Sequence, residues 1–279
     1  MNTTTTEQKP VSNFRTELVA SAKGALIERL RNVRTKEEVR ELMRVMSRFH
    51  RYSLNNQILI AFQFPAATHV AGFGTWKKFR RDIKAGSKAI KILAPCEYSV
   101  LDEDTNEEIV RLGFRVVNVF DVSQTSGKDL PNIDDDIKGS DMAGLYARAK
   151  HYTSIRNIDL HYTAKGRAAG WIGLDGITIK ESNTKNKELA ALLHELSHFE
   201  LGHLSCDKSR QLQELEAESC AFVIAHKFGF DTKSEKYLMS WSKFDDDAVM
   251  AALDNVHGAA QKIINGLTGI KPALAQGRN

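Results

Sequence analysis

Apolar residues between positions 14 and 50 recur mostly at intervals of three and four. Leu18, Leu26, Ile27, Leu30, Val39, Leu42, Met43 and Met46 trace one face, and charged residues fill the other. The spacing predicts two helices with a break near residues 32–35, where Thr35 and Glu38 form a capping box. A short helix over 56–64 has to end before Pro65. Then the texture changes. Residues 68–70 read as extended and 76–81 as a short helix. Ile90 and Ile92 alternate around Lys91, as in a half-buried strand over 88–93. Residues 98–101 and 109–112 flank an acidic turn and predict a hairpin, followed by a strand over 114–120.

Residues 123–141 contain Gly127, Pro131, Gly139 and the run Asp134–Asp136 without periodicity, which marks a linker. Beyond it the pattern predicts a helix over 141–151 capped by Ser140, and strands over 158–162 and 176–180. Four more helices follow, over 183–202 (capped by Ser182 or Asn183), 209–228, 233–242 and 245–267. The fold class is therefore α+β in two domains. Residues 10–125 form a helical region with a small antiparallel sheet, 126–140 connect, and 141–270 form a mainly helical domain.

Composition adds a cellular setting. Hydrophobic content of 42% and charged content of 27% suit a soluble chain with a buried core. No apolar run approaches the ~18 residues of a membrane span, and the Thr-rich start has no apolar secretory region. Cys96, Cys206 and Cys220 form no C-x-x-C pair and read as reduced thiols of a cytoplasmic protein. Charge is uneven. Residues 1–125 carry 20 Lys and Arg against 14 Asp and Glu, while the remainder is slightly acidic. Within 77–91, Lys77, Lys78, Arg80, Arg81, Lys84, Lys88 and Lys91 face the single acid Asp82. Phe73, Trp76 and Phe79 are interleaved. Cations that follow a phosphate backbone and rings that stack on unpaired bases suit single-stranded nucleic acid, with Phe73 and Trp76 the expected stacking platforms.

The second chemical feature is H-E-x-x-H at residues 194–198. On a helix, His194 and His198 project from one face one turn apart and can hold a metal ion. Glu195 lies ~100° around the axis, placed to act on a metal-bound water rather than as an equal ligand. The expected ion is Zn²⁺, with another divalent transition metal such as Mn²⁺ as the alternative. A catalytic zinc takes three protein ligands. Glu214 and Glu218 are four residues apart on the next helix and share a face, whereas Glu216 is rotated ~200° from Glu214. Glu214 is therefore the expected third ligand and Glu218 the acceptor for the outward N–H of a ligating histidine. A metzincin would need its third histidine at position 204, with Gly at 201. Here Gly202 and His203 occupy the wrong register, so His203 reads as helix-end charge compensation or packing. A metal-dependent nuclease is disfavoured, because such sites lean on carboxylates and Mg²⁺ or on two metals.

Several stretches resemble the N-terminal domain of the ArdC antirestriction family. They are Tyr52–Gln57, Ala67–Phe73, Trp76–Lys78, Ile83–Lys88, Ile90–Pro95 and Val119–Thr125, in that order. The resemblance covers about residues 10–125 and implies binding of single-stranded DNA, with Asn56 joining the basic and aromatic residues as a contact. The second half resembles the zincin-like domain of that family and the ImmA/IrrE metallopeptidases, through His194–His198 and the E-x-x-A-E pattern of Glu214–Glu218. The resemblance implies a gluzincin-like metallopeptidase with the first Glu of that pattern on the metal, and a protein substrate or restriction enzyme as partner. Its alternative is a non-catalytic protein that protects single-stranded DNA, with the metal domain as scaffold. The segment 166–182 departs from the family pattern.

Overall fold

The computed structural model describes residues 17–22, 24–25, 27–28, 36–101, 108–130, 142–182, 184–230, 241 and 243–269. It is α+β and separates into two compact units. Unit 1 comprises residues 1–28 and 55–129; unit 2 comprises residues 29–54 and 130–279. The expected boundaries at 10–125 and 141–270 assign residues 29–54 differently. Helix α1 (Lys36–Arg48) packs on a helix of unit 2, burying Met43, Met46 and the following Phe49. Thr35, Ser140, the acidic turn and the expected helix over 233–242 lie outside the described residues, apart from Trp241, which is buried. No described helix is long and apolar enough to cross a membrane.

Unit 1 is built on a long hairpin. Strands β3 (Ile90–Leu101) and β4 (Glu108–Asp121) pair antiparallel from Ile90↔Val119 to Leu101↔Glu108. The four short strands expected here, over 88–93, 98–101, 109–112 and 114–120, are thus two long strands in one continuous ladder, with Pro95 and Gly113 accommodated within it. Strand β1 (Val70–Ala71) adds to β4, leaving β3 at the sheet's edge. Helix α2 (Leu54–Gln63) covers that edge. Asn56 Nδ2 donates to Leu93 O at 2.8 Å, and Leu93 N–H donates to Asn56 Oδ1 at 2.8 Å. Two turns on, Gln63 does the same to Lys91, at 2.8 and 2.9 Å. The two amides stand in for a neighbouring strand, which satisfies the main-chain groups an edge leaves open. Helix α3 (Phe73–Lys78) follows, then β2 (Arg81–Ile83), which pairs with β5 (Thr125–Gly127).

The carboxylate of Asp121, 1% exposed, ties the end of β4 to the chain before β1. It accepts from Thr68 N–H at 2.7 Å, His69 N–H at 2.9 Å and Ser123 N–H at 2.9 Å. Burial alone would raise its pKa, but these donors outweigh it and hold the group below its ordinary value.

Unit 2 is mainly helical. Helix α4 (Met142–Ile155) leads into a three-stranded sheet of order β6–β8–β7. Strand β6 (Leu160–Thr163) runs parallel to β8 (Gly176–Lys180), and β7 (Gly170–Gly173) runs antiparallel to it. Strand β7 falls in the Gly-punctuated stretch where periodicity predicts nothing. Helix α5 (Lys185–Glu200) lies against β7 and β8 and against α6 (Arg210–Lys227). Leu189, Leu192, Leu193 and Leu196, spaced three and four apart, are fully buried along its length. Its N-cap is Thr184 rather than Ser182 or Asn183. No side chain caps it directly; Glu188 in the first turn instead accepts from Ser182 N–H at 3.0 Å and Lys185 Nζ at 2.8 Å. Ser209 caps α6 through Leu212 N–H, and Asp245 caps α7 (Asp246–Thr268) through Ala248 N–H. Helix α7 packs on α6 and reaches the end of α1, where Gln261 Nε2 donates to His50 O at 2.9 Å.

Candidate metal centre and nucleic-acid interface

Helices α5 and α6 pack against one another, and Ala217 of α6 is fully buried. Their facing positions carry His194, His198, Glu214 and Glu218. His194 Nε2 lies 3.1 Å from His198 Nε2, and Glu214 Oε2 lies 3.5 Å from the first and 3.8 Å from the second. Metal–ligand bonds of about 2.0–2.2 Å in a tetrahedron set ligand separations of roughly 3.3–3.6 Å. The three separations lie within a few tenths of an ångström of that range, so the three side chains could hold one ion, and the donor set of two imidazoles and a carboxylate suits a transition metal with an open position. Among the described residues this is the group of His, Cys, Asp and Glu side chains close enough to hold an ion.

His194 Nδ1 lies 2.9 Å from Glu218 Oε2, the second-layer contact expected of Glu218. Burial disfavours a charge on His194, but Glu214 and Glu218 outweigh it and push its pKa up to about 10. Burial instead lowers His198, with the charge on His194 acting in the same direction. Glu214 is drawn well below the carboxylate range by both rings.

Glu195, next to His194 on α5, is 6% exposed. Burial pushes its pKa up to about 7; the proton-rich His194 pulls it down and Glu214 pushes it up. A carboxyl poised near neutrality can both take and return a proton. Strand β7 passes beside it. A Cβ at Gly170 would sit 3.2 Å from Glu195 Cγ and 3.1 Å from Ile179 Cδ1, so a side chain there would push these neighbours by a few tenths of an ångström. Sequence periodicity does not detect β7, although Gly170 was its visible sign.

His203 departs from its expected role. It follows Gly202, which turns the chain in the left-handed conformation at φ 70°, and it lies beneath His198 with Nδ1 2.8 Å from His198 Nδ1. Its Nε2 lies 2.9 Å from Glu216 Oε2. Glu216, fully buried, also accepts from Lys208 Nζ at 2.7 Å and Asn255 Nδ2 at 3.0 Å. The expected helix-end charge compensation or packing is thus replaced by a hydrogen-bonded link from Glu216 to His198.

A separate cavity of about 440 Å³ in unit 2 is lined by Tyr146, Lys150, Tyr162, Glu181, Lys185 and Glu188. Its polar groups pair with one another: Tyr146 Oη lies 2.9 Å from Tyr162 Oη and donates to Glu188 at 3.0 Å.

In unit 1 the structure sorts the basic segment. Trp76 is corrected from stacking platform to core residue. It is 2% exposed, and its Nε1 donates to Phe120 O at 2.9 Å. Asn56 is likewise corrected, since both atoms of its amide are engaged by β3 and it is 7% exposed. Arg81 places its guanidinium on β5, donating to Thr125 Oγ1 at 2.7 Å and to the carbonyls of Thr125 and Lys128. Lys77 pairs with Asp82, and Lys84 Nζ donates to Ser123 O at 2.8 Å. Lys78, Arg80 and Lys88 are exposed and have no ion-pair partner among the described residues. Phe73 is 58% exposed with Lys77 Nζ 5.5 Å from its ring centroid, and Phe79 is 39% exposed. The face that can meet a ligand is therefore Phe73, Phe79, Lys78, Arg80 and Lys88, with Lys77 and Lys84 beside it.

Residues 12–122 match the family model described as the N-terminal domain of anti-restriction factor ArdC. An uncharacterized protein of Bacillus anthracis is 26% identical over 280 residues, covering 82% of this chain and 47% of its own length. The chain thus spans about half the length of that relative. The metal-free crystal structure of antirestriction ArdC from plasmid R388 superposes with a TM-score of 0.51 at 18% identity, covering 79% of this chain and 86% of that one. The likeness is one of fold. The Mn(II)-bound structure of the R388 protein covers 82% of this chain and 99% of that one, at 15% identity and a TM-score of 0.47.

Proposed function

From the premise that this is an ArdC-like chain, with the ArdC N-terminal domain over residues 12–122, we propose that it is an antirestriction protein with two activities. Unit 1 binds single-stranded DNA, and unit 2 is a metal-dependent hydrolase of a protein target. The observation that carries the second activity is the convergence of His194, His198 and Glu214 with Glu195 buried beside them.

A Zn²⁺ or similar divalent ion bound by those three side chains would acidify a water and polarise a carbonyl. The rest belongs to the chain. Glu195 accepts a proton on its carboxylate and returns it to the leaving amine, the double duty that a pKa of about 7 allows. Strand β7 supports peptide recognition. Its register with β8, and the bond from Lys180 N–H to Ala169 O, turn the main-chain groups of Gly170 and Ile172 away from β8. An extended peptide added along that edge would pass Glu195. A non-catalytic scaffold has no use for a buried, neutral-leaning carboxyl at this position.

In unit 1, the rings of Phe73 and Phe79 offer stacking faces for unpaired bases, and Lys78, Arg80 and Lys88 face the phosphates. This binding tethers the hydrolase to proteins on incoming single-stranded DNA.

The test is a comparison of wild type and Glu195→Gln, both loaded with metal, on proteins bound to single-stranded DNA. The variant should keep its metal and lose hydrolysis by roughly 10²–10⁴-fold. Equal protection from restriction by both would remove hydrolysis from the function and leave the scaffold reading. Affinity for single-stranded DNA should fall with salt, by about 0.7 in log–log slope for each phosphate contact. Replacing Lys78, Arg80 and Lys88 together should lower that slope by about 2.

A further inference from the structure

The two histidines of the metal centre are supported differently. His194 gives its Nδ1 to a carboxylate, Glu218, at 2.9 Å. His198 turns its Nδ1 towards another imidazole, His203, at 2.8 Å. Two ring nitrogens at that distance need one N–H and one lone pair between them.

Glu216 decides which ring supplies which. Its carboxylate is fully buried and receives hydrogen bonds from Lys208 Nζ at 2.7 and 2.8 Å and from Asn255 Nδ2 at 3.0 Å. It is therefore an acceptor towards His203, and His203 donates its Nε2–H across 2.9 Å. A neutral His203 protonated at Nε2 has its lone pair at Nδ1. His198 must then be the donor at Nδ1, which leaves its own lone pair at Nε2. That is the atom facing His194 Nε2 and Glu214.

We propose that His203, held by Glu216, is a positioning residue of the metal centre: it selects the Nδ1–H tautomer of His198 and aims its Nε2 at the ion. The proposal rests on the reading of His194, His198 and Glu214 as the ligands. Three separate parts of the chain converge on it. The left-handed turn at Gly202 brings His203 beneath His198, Glu216 comes from α6 between Glu214 and Glu218, and Asn255 comes from α7. The buried charge of Glu216 is balanced by Lys208. Removing His203 would leave His198 Nδ1 and the Glu216 carboxylate facing a void and would let His198 adopt either tautomer.

The first measurement needs no variant. In the zinc-loaded full-length chain with ¹⁵N-labelled histidine, long-range correlation spectra should show His198 protonated at Nδ1 and His203 protonated at Nε2. His203 protonated at Nδ1 overturns the proposal. The second measurement is zinc affinity by chelator competition. His203→Phe should weaken binding by about 10–100-fold. His203→Gln can accept at Oε1 and donate at Nε2, and should stay within roughly three-fold of wild type. Wild-type affinity in His203→Phe, or a Gln variant no better than Phe, overturns the positioning role. His194→Ala, run alongside, separates the two failures. If it loses zinc while His203→Phe does not, only the positioning role falls. If it binds zinc as tightly as wild type, the ligand assignment falls and the proposal with it.

Discussion

Arg80 sits at φ 58°, a left-handed conformation that costs a residue with a Cβ about 1–2 kcal/mol. The turn it makes joins α3 to β2, and its carbonyl lies so close to Gly127 that a Cβ there would collide with it. An exposed arginine, with no ion-pair partner among the described residues, thus stands where glycine would fit better. Strain of this kind persists where a side chain has another use. Arg80→Gly should raise stability by ~0.5–1 kcal/mol in denaturant unfolding. It should also weaken binding to single-stranded DNA across sequences and reduce the salt slope by about 0.7. Unchanged DNA affinity would make Arg80 a turn residue only. Asp121 gives a pH-dependent prediction. Its carboxyl is held below its ordinary value of 3.8, so it contributes stability that is fully present above that value. As pH falls through the depressed value the contribution is lost. Asp121→Asn should therefore destabilise the protein by ~1.5–3 kcal/mol at pH 7, and the difference from wild type should shrink in acid below pH ~4. Urea unfolding at the two pH values measures both.

At the scale of elements, α2 is joined to β3 through two side-chain amides rather than through apolar contact alone. Asn56 and Gln63, seven residues apart, lie on one helical face and meet Leu93 and Lys91, which are two residues apart on one strand edge. Removing either amide leaves a main-chain N–H and C=O of the edge without their partners. Asn56→Ala and Gln63→Ala should each cost about 1–3 kcal/mol. Neither should alter the salt slope of DNA binding, since both side chains face the protein. A slope reduced in Asn56→Ala at unchanged stability would restore Asn56 as a DNA contact. In unit 2, Ala217 is fully buried on α6 between Glu214 and Glu218. Ala217→Leu would overpack that stretch of α6 and should weaken metal binding at least ten-fold, read by chelator competition.

For the whole molecule, the notable feature is that the chain order of α1 and its place in the fold differ. Helix α1 lies in sequence between the two stretches of unit 1, residues 1–28 and 55–129, yet it belongs to unit 2 and buries Met43 and Met46 against α6. A fragment comprising residues 130–279 would expose that apolar face of the helix carrying Glu214. It should melt lower than unit 2 in the intact chain and bind a dye for exposed apolar surface, whereas the full chain should not. A fragment as stable as the intact unit would show that α1 contributes little. A metal held by His194, His198 and Glu214 would stabilise the same unit. At a free metal concentration 100 times the dissociation constant, such binding would add about 2.7 kcal/mol, so chelation should lower the unfolding midpoint of unit 2.

Local geometry was legible in the sequence. A helical repeat of 3.6 residues places His194 with His198 and Glu214 with Glu218, whatever surrounds them, and the four leucines of α5 announce its buried side. Such relations depend on neighbours a few residues away, so spacing determines them. Long-range packing settled the rest. Whether Trp76 stacks or sits in a core depends on Phe120, 44 residues on, and whether Arg81 is free depends on β5. His203 links to Glu216 only because α5 and α6 lie side by side, and α1 joins unit 2 only because α6 offers it a matching apolar face. Burial and pairing are properties of what packs against a residue, and a linear pattern carries the residue but not its neighbour.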